Sequence, residues 1–281
     1  MSTTFPYLKG HGTENDFVLL PDPDGTVHGD LDPALVARLC DRHAGLGGDG
    51  VLRAVRTAAY DDPDAVAARD RAEWFMDYRN ADGSTSEMCG NGIRVFARYV
   101  VDHQGADPAQ PLPIGTRAGV LTVTFDADGL VTVDMGEPRV LGETKVAVGP
   151  LGWPATHVSM GNPHAVAFVE SLDDAGPLLE APAHDAAVYP DGVNVEFVVR
   201  RGPRHLAMRV HERGSGETRS CGTGACAVVV AGALADGAAR NTPYRVDVPG
   251  GTLQVTWTDT DRVLLTGPAV LVAQGTWLDA T

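Results

Sequence analysis

Apolar and polar positions alternate along most of this chain, in short runs interrupted by glycine, proline and aspartate. A period of two residues is typical of strands with one buried face. The pattern predicts strands over Phe17–Leu20, Gly50–Val55, Glu73–Tyr78, Gly119–Phe125, Leu130–Met135, His157–Met160, Ala165–Val169, Val193–Val199, His205–His211, Arg245–Val248, Thr252–Thr256 and Val263–Thr266. Many short strands with few helices predict the α+β class.

Helical patterns are fewer. One helix is predicted over Pro33–His43, with Asp32 as its N-cap and a proline at its first position. A short helix is expected to begin within Pro177–Glu180. The polar stretch Ala58–Ala72 is predicted to be a loop insertion.

Two further helices each follow a cysteine in a glycine-bracketed turn, Met88–Gly92 and Ser220–Gly224. The apolar runs after them, Ile93–Val101 and Ala225–Ala235, predict the helices. The second run is small and apolar nearly all round, which is typical of a buried helix wrapped by bent sheet. The first contains Arg94, Arg98 and Asp102, so one side of it is expected to face water.

Several fragments recur in the same order in the two halves of the chain. Asp49–Val51 corresponds to Asp191–Val193, and Met135–Pro138 corresponds to Leu265–Pro268. Between them, Asn80, which precedes Cys89, corresponds to Glu212, which precedes Cys221. This repetition indicates an internal duplication. We expect an N-terminal domain of residues 1–127 and 267–281, a C-terminal domain of residues 128–266, and an active site in the cleft between them. The first domain carries Cys89 and the second Cys221.

Charge and cysteine content narrow the possible partners. The formal net charge of −15 argues against nucleic acid and against an anionic membrane surface. Neither a secretory signal nor a transmembrane helix is expected from the sequence, so a cytoplasmic location is expected. The four cysteines are then expected to be thiols rather than structural disulfides, with Cys40 and Cys226 buried in helices, and none has zinc-site spacing.

Paired thiols in matched contexts indicate acid–base chemistry. Unpaired N–H groups at a helix start favour the thiolate of a cysteine placed there. Two such thiols facing one carbon atom from opposite sides would exchange its proton, as a racemase or epimerase requires. The N–H groups of Gly90–Asn91 and Gly222–Thr223 would bind the substrate carboxylate and stabilise the charge that develops there.

Five separated segments resemble the cofactor-independent diaminopimelate epimerase family. They are His11–Phe17, Asn80–Gly92, Met160–His164, Gly192–Asn194 and Glu212–Gly224. The resemblance covers nearly the whole chain. It implies two pseudo-symmetric domains, each a strongly bent, mostly antiparallel sheet or barrel around a central helix.

The resemblance also implies a reaction and its residues. LL- and meso-2,6-diaminopimelate would be interconverted in lysine and peptidoglycan biosynthesis, by a homodimer, with neither pyridoxal phosphate nor a metal. Cys89 and Cys221 would be the thiolate base and the thiol acid, and His164 and Glu212 would tune them. The residues that would bind the substrate are Asn15, Asn80, Gly90, Asn91, Asn162, Asn194, Glu212, Arg213, Gly222 and Thr223. Among these, Arg213 can hold the distal carboxylate through two parallel hydrogen bonds.

The chain departs from the family pattern at two positions. Glu14 stands where a glycine is usual, and Gly50 stands where some members have a substrate-contacting glutamine. Gly50 makes no side-chain contact, so that role is lost or passes to another group.

Other functions stay open. A related epimerase or racemase of another amino acid fits the same fold, since a few side chains redirect specificity. Proline and hydroxyproline relatives usually carry a histidine where this chain has Asn91, and they lack the Glu212–Arg213 pair. A thiol–disulfide redox protein would need a reversible Cys89–Cys221 bond, and a binding module would need no paired thiols.

Overall fold

The computed structural model describes residues 4–278. The chain divides into two compact units. The first extends to Val133 and resumes at Pro268, and the second is Asp134–Gly267. Sequence analysis placed these changes after residues 127 and 266.

Strands and helices alternate in the first unit. Its strands are β1 (Thr4–Gly12), β2 (Asn15–Pro21), β3 (Gly50–Arg56), β4 (Trp74–Asn80), β5 (Leu112–Thr116), β6 (Gly119–Phe125) and β7 (Val131–Asp134). Its helices are α1 (Pro33–Cys40), α2 (Pro63–Ala68) and α3 (Gly90–Gln104), with a 3₁₀ turn at Thr57–Ala59.

The second unit contains one long helix, α4 (Gly222–Asp236), and a 3₁₀ turn at Leu172–Ala175. Its strands are β8 (Arg139–Val148), β9 (Leu151–Ser159), β10 (Pro163–Phe168), β11 (Ala183–His184), β12 (Asn194–Gly202), β13 (His205–Glu212), β14 (Gly216–Thr218), β15 (Thr242–Val248), β16 (Gly251–Trp257) and β17 (Val263–Gly267). The last strand, β18 (Val270–Leu278), belongs to the first unit.

Both units use the same order of strand pairing. In the first, β18–β1–β2 pair antiparallel, β2–β3 parallel, β3–β4 antiparallel, β4–β5 parallel and β5–β6–β7 antiparallel. The second unit repeats that series of directions in the pairings β8–β9–β10, β10–β12, β12–β13, β13–β15 and β15–β16–β17. The internal duplication expected from recurring fragments is therefore confirmed by topology.

The central helices α3 and α4 occupy matching places. Each is 15 residues long and ends at a left-handed glycine, Gly105 or Gly237. Glycine adopts that conformation without a Cβ clash, which is why it terminates helices so often. Residues Gly224–Ala233 of α4 are all buried, as the small apolar pattern predicted.

Each predicted strand overlaps an observed one, and the helix capped by Asp32 is confirmed, ending at Cys40. Strands β1, β5, β8, β11, β14 and β18 were missed. The residues of β8 and β18 are mostly exposed or half-buried, so their faces show little alternation between apolar and polar residues. Backbone pairing, rather than a buried face, defines these strands.

Two local expectations are wrong. The stretch Ala58–Ala72 contains helix α2, which begins because the Asp62 side chain accepts from Asp64 N at 2.9 Å. Its Ala65 packs in a core cluster with Tyr60 and Phe75. The segment Pro177–Glu180 is not helical.

The expected water-facing side of helix α3 is present at Asp102, which is exposed, and at Arg98, which is half-buried, but the expectation fails at Arg94. Arg94 is fully buried rather than in water. Its guanidinium group is satisfied by backbone and amide oxygens, donating to Gly90 O at 3.1 Å, Asn91 Oδ1 at 2.9 Å and Pro268 O at 3.4 Å. The charge is therefore spread over oxygen acceptors inside the unit. Within residues 4–278, no helix is both long and apolar enough to cross a membrane.

The turn between β1 and β2 explains why glycine is usual at position 14. Glu14 has φ 61° and the preceding Thr13 has φ 51°. Both lie in the left-handed region, where a Cβ atom costs about 1–2 kcal/mol. The departure from the family pattern thus leaves a side chain in a backbone conformation suited to glycine.

We predict that Glu14→Gly is more stable than Glu14→Ala by about 1 kcal/mol, because both lose the same side chain but only glycine relieves the strain. Urea unfolding of the two variants measures the difference. Equal stability would show that the turn does not strain residue 14.

Candidate active site

The sulfur atom of Cys89 caps helix α3. Cys89 has extended backbone (φ −136°, ψ 122°), and its Sγ accepts from Gly92 N at 3.4 Å. The thiol also donates to Asn15 Oδ1 at 3.6 Å. Cys89 is half-buried. Its sulfur therefore lies at the positive end of the helix dipole, as predicted.

Cys221 caps helix α4 in the same way. Its Sγ accepts from Gly224 N at 3.4 Å and lies 3.5 Å from Thr223 Oγ1. Burial raises the pKa of the Cys221 thiol well above its usual value, and negative charge at Glu212, or at Glu196 when that group is ionised, raises it further. The bonds from Thr223 and Gly224 lower the pKa, but by less. The helix start thus favours the Cys221 thiolate, while burial and the nearby carboxylates oppose it more strongly.

Amide side chains and one carboxylate surround Cys89. Asn15 Oδ1 accepts from Asn91 Nδ2 at 3.0 Å, while Asn15 Nδ2 donates to Asp49 Oδ2 at 2.6 Å. Arg94 in turn holds Asn91. The structure thus brings the predicted residues Asn15, Asn91 and Cys89 together and fixes both amides from behind.

Asn80 and Gly50 lie opposite each other on β4 and β3. Asn80 Nδ2 donates to Ser84 Oγ at 3.0 Å. A Cβ atom at Gly50 would lie 2.5 Å from Arg79 O and 2.7 Å from Tyr78 Cε2. No side chain fits at position 50 without moving the backbone, so this chain makes no contact there like that of the family glutamine.

A hydrogen-bonded series connects the predicted residues around Cys221. His164 is fully buried, with Nε2 3.0 Å from Asn162 Oδ1. Asn162 Nδ2 donates to Thr223 Oγ1 at 3.4 Å. Thr223 Oγ1 lies 3.5 Å from the Cys221 sulfur. His164 thus reaches Cys221 through two intervening side chains of the second unit.

Asn194, Glu212 and Arg213 form a second group in the same unit. Arg213 N donates to Asn194 Oδ1 at 2.9 Å, and Asn194 Nδ2 donates to Pro163 O at 3.1 Å. Thr218 Oγ1 donates to Glu212 Oε1. Arg213 is exposed, and its Nη1 donates to Asp191 O at 3.4 Å. The guanidinium group is accessible to a ligand.

Two residues that hold the site residues in place were not predicted from the sequence. Asp49 binds Asn15, and Glu196 Oε1 lies 2.6 Å from His164 Nδ1. Signals for both were present: Asp49 belongs to a repeated fragment, and Glu196 is an acidic residue within an otherwise apolar strand. Buried charged residues almost always have partners, so such a residue in a strand points to one.

The remaining cysteines are distinct. Cys40 and Cys226 are buried, and burial raises the pKa of the Cys40 thiol to about 11. Within residues 4–278, no group of three or more His, Cys, Asp or Glu side chains is placed to hold a metal ion.

Comparison with known proteins decides between the related families. The family model of diaminopimelate epimerase matches residues 7–141 and 156–272. The chain belongs to the diaminopimelate epimerase family. A diaminopimelate epimerase of Streptomyces coelicolor is 60% identical over 290 residues, covering 99% of both chains. The diaminopimelate epimerase of Thermobifida fusca is 50% identical, covering 96% of both chains.

Solved structures extend the fold beyond this family. A Bacillus anthracis phenazine biosynthesis protein of the PhzF family matches with a TM-score of 0.69 at 17% identity, covering 98% of this chain and 99% of that one. A hydroxyproline epimerase of Agrobacterium vitis matches with a TM-score of 0.69 at 15% identity, covering 98% and 93%. At these identities the likeness shows the shared fold alone.

Gly224 gives a test of how tightly the Cys221 cap is packed. A Cβ atom there would lie 2.8 Å from Glu196 Oε1 and 3.3 Å from Cys221 Sγ. We predict that Gly224→Ala destabilises the protein by about 1–3 kcal/mol, although alanine is otherwise the better helix former.

Gly232→Ala in the same helix is the matched control, because the close neighbour of its Cβ would be the flexible end of Leu206, at 3.0 Å, with Phe168 Cζ and Tyr244 Cε1 at ordinary contact distances of 3.8 and 4.0 Å. Denaturant unfolding compares the two variants. If Gly224→Ala is as stable as Gly232→Ala, the cap is not closely packed.

Proposed function

We propose that this chain interconverts LL- and meso-2,6-diaminopimelate, with Cys89 and Cys221 as its two acid–base groups. Its family and its relatives named diaminopimelate epimerase support the reaction. The observation that carries the mechanism is the matched position of the two sulfur atoms, each capping the central helix of a duplicated unit.

Inversion at a carbon atom with one hydrogen needs proton removal from one face and proton delivery to the other. A thiolate takes the Cα proton, and the opposite thiol gives its proton to the other face of the carbanion. The product leaves the enzyme with the protonation of the two sulfurs exchanged. The raised pKa of Cys221 suits this residue to begin as the proton donor.

The helix starts supply the electrostatic part of the mechanism. Gly90–Asn91 and Gly222–Thr223 form the first turns after the two cysteines. Backbone N–H groups at helix N-termini bind carboxylates and stabilise the charge that develops as Cα loses its proton. We assign these residues to the carboxylate beside the reacting carbon.

The other site residues divide by chemistry. Asn15, Asn80, Asn162 and Asn194 supply amide donors and acceptors for the ammonium and carboxylate groups of the substrate. Arg213 binds the distal carboxylate, with Glu212 beside it. His164 and Glu212 tune the thiol of Cys221, which Glu212 influences through its charge.

Removing either thiol is expected to stop epimerisation. Cys89→Ala and Cys221→Ala lose one of the two proton carriers, so turnover of LL-diaminopimelate should fall by at least about 100-fold, the low end for a positioned acid or base. A stereochemical assay of meso-diaminopimelate formed in heavy water measures it. Cys226→Ala, at a buried cysteine of the same helix, should keep its activity. Substantial turnover by either first variant would contradict the two-thiol mechanism.

Arg213 is expected to determine specificity for a substrate with a distal carboxylate. Arg213→Lys keeps the charge but loses the two-pronged geometry, so kcat/KM should fall about 10–100-fold. Steady-state kinetics measure this. Arg219→Ala, an exposed arginine of the same segment bound to Pro249 O, is the control. Unchanged kinetics in Arg213→Lys would place distal recognition elsewhere.

Two further features of the proposal rest on the resemblance to the family. We propose a homodimer, which sedimentation equilibrium would test against a monomer. We also propose that the enzyme works in the cytoplasm, where lysine and peptidoglycan precursors are made, and subcellular fractionation would test this location.

A further inference from the structure

A fully buried glutamate lies behind His164 and takes no direct part in the proposed reaction. Glu196 on β12 has no exposed surface, and its Oε1 is 2.6 Å from His164 Nδ1. Among the residues that the structure describes, its other oxygen, Oε2, has no hydrogen-bond partner. A polar atom in such surroundings is costly, and a charged one far more so.

The amide of Asn162 fixes which nitrogen of His164 carries hydrogen. An asparagine amide has a donor on one side and an acceptor on the other. Asn162 Nδ2 donates to Thr223 Oγ1 at 3.4 Å, so its Oδ1 faces His164 Nε2 at 3.0 Å. The Nε2 atom must therefore carry a hydrogen and donate it.

One hydrogen also lies between Glu196 Oε1 and His164 Nδ1, because their separation of 2.6 Å requires a hydrogen bond. Two arrangements satisfy this: a protonated acid donating to a neutral histidine, or an imidazolium donating to a carboxylate. The second would leave a charged oxygen, Oε2, unpaired in the interior. It would also add a negative charge near Glu212 and Cys221, both of which interact electrostatically with Glu196.

We infer that Glu196 is a positioning residue, held as the neutral acid, that donates to His164 Nδ1 and so keeps that histidine neutral in the Nε2–H form that Asn162 requires. Burial raises the pKa of the Glu196 carboxyl group, in agreement with this protonation. The inference rests on the proposed role of Cys221 for its effect on catalysis.

The consequence is a single direction of hydrogen bonding toward the sulfur. His164 Nε2 donates to Asn162, Asn162 donates to Thr223, and the Thr223 hydroxyl hydrogen is left to donate to Cys221. With Gly224 N, the Cys221 thiolate would then accept two hydrogen bonds, which favour the charged form. A negative charge at Glu196 would oppose the same thiolate.

Substitutions at position 196 separate the two arrangements. Glutamine has the shape of the protonated acid and donates from its amide, so Glu196→Gln should keep kcat within a fewfold of the wild-type value. Glu196→Met fills similar space without a donor, and we expect kcat to fall by about 10–100-fold, as for other residues that orient a site group. Val198→Ala, at a buried position of the same strand, controls for lost stability and should keep kcat.

Two spectroscopic measurements on the resting protein do not depend on turnover. Infrared difference spectra of wild type and Glu196→Gln should show the C=O band of a protonated acid in the wild type alone. Nitrogen NMR of ¹⁵N-histidine protein, with His164→Gln to assign the signals, should show a neutral ring with hydrogen on Nε2.

The pH dependence of Cys221 alkylation, followed on its own peptide, gives a third measurement. Its midpoint should move to higher pH in Glu196→Met and stay in place in Glu196→Gln. The other titratable groups near Glu196 and His164 are Glu212, Tyr189 and His157, so the two variants are compared in the same background.

An imidazolium signal for His164, no acid band, or equal loss of kcat in Glu196→Gln and Glu196→Met would overturn the inference. Failure of the proposed function would look different. Retained epimerisation in Cys221→Ala would remove the catalytic role of the thiol, while the infrared and NMR results on Glu196 would stand.

Discussion

Each unit depends on the capping of a buried helix by a cysteine sulfur. The N–H groups of a first helical turn lack partners within the helix, and inside a protein they must be satisfied. Serine, threonine, aspartate or asparagine would do this better. A thiol in their place binds the N3 amide weakly at 3.4 Å and keeps a reactive atom at the positive end of the dipole. In the proposed mechanism, the weaker cap costs stability but leaves a sulfur atom available for acid–base chemistry.

Glycine at the N3 position is the counterpart of this choice. The sulfur folds back over the first turn, and a Cβ at Gly224 would press on both Cys221 Sγ and Glu196. At Gly92 the neighbours are Leu52 and the Cβ of Cys89, at 3.2 and 3.4 Å. The repeated Cys-Gly-x-Gly pattern is thus a packing requirement as well as a family motif.

The duplicated topology carries two different chemical environments. Cys89 is half-buried and bound by an amide that Asp49 holds, whereas Cys221 is buried beside Thr223 with acidic groups nearby. The two units therefore share a fold, but their thiols differ in burial and in the groups that surround them. In the proposed reaction, such inequality would let one sulfur begin as the base and the other as the acid.

The sequence was sufficient for the fold class, the strands with a buried face, the duplication and the two capping cysteines, because alternation, glycine turns and motif spacing are local signals. Helix α2 was missed although its start, Asp62 followed by Pro63, is a local signal. The sequence was insufficient for the strands without a clear buried face and for the burial of Arg94, since these follow from contacts between distant segments. The raised pKa of Cys221 and the Glu196–His164 pair belong to the same class. Solvent exclusion and the direction of a hydrogen bond arise only when separate strands pack together, so the tertiary structure decides them.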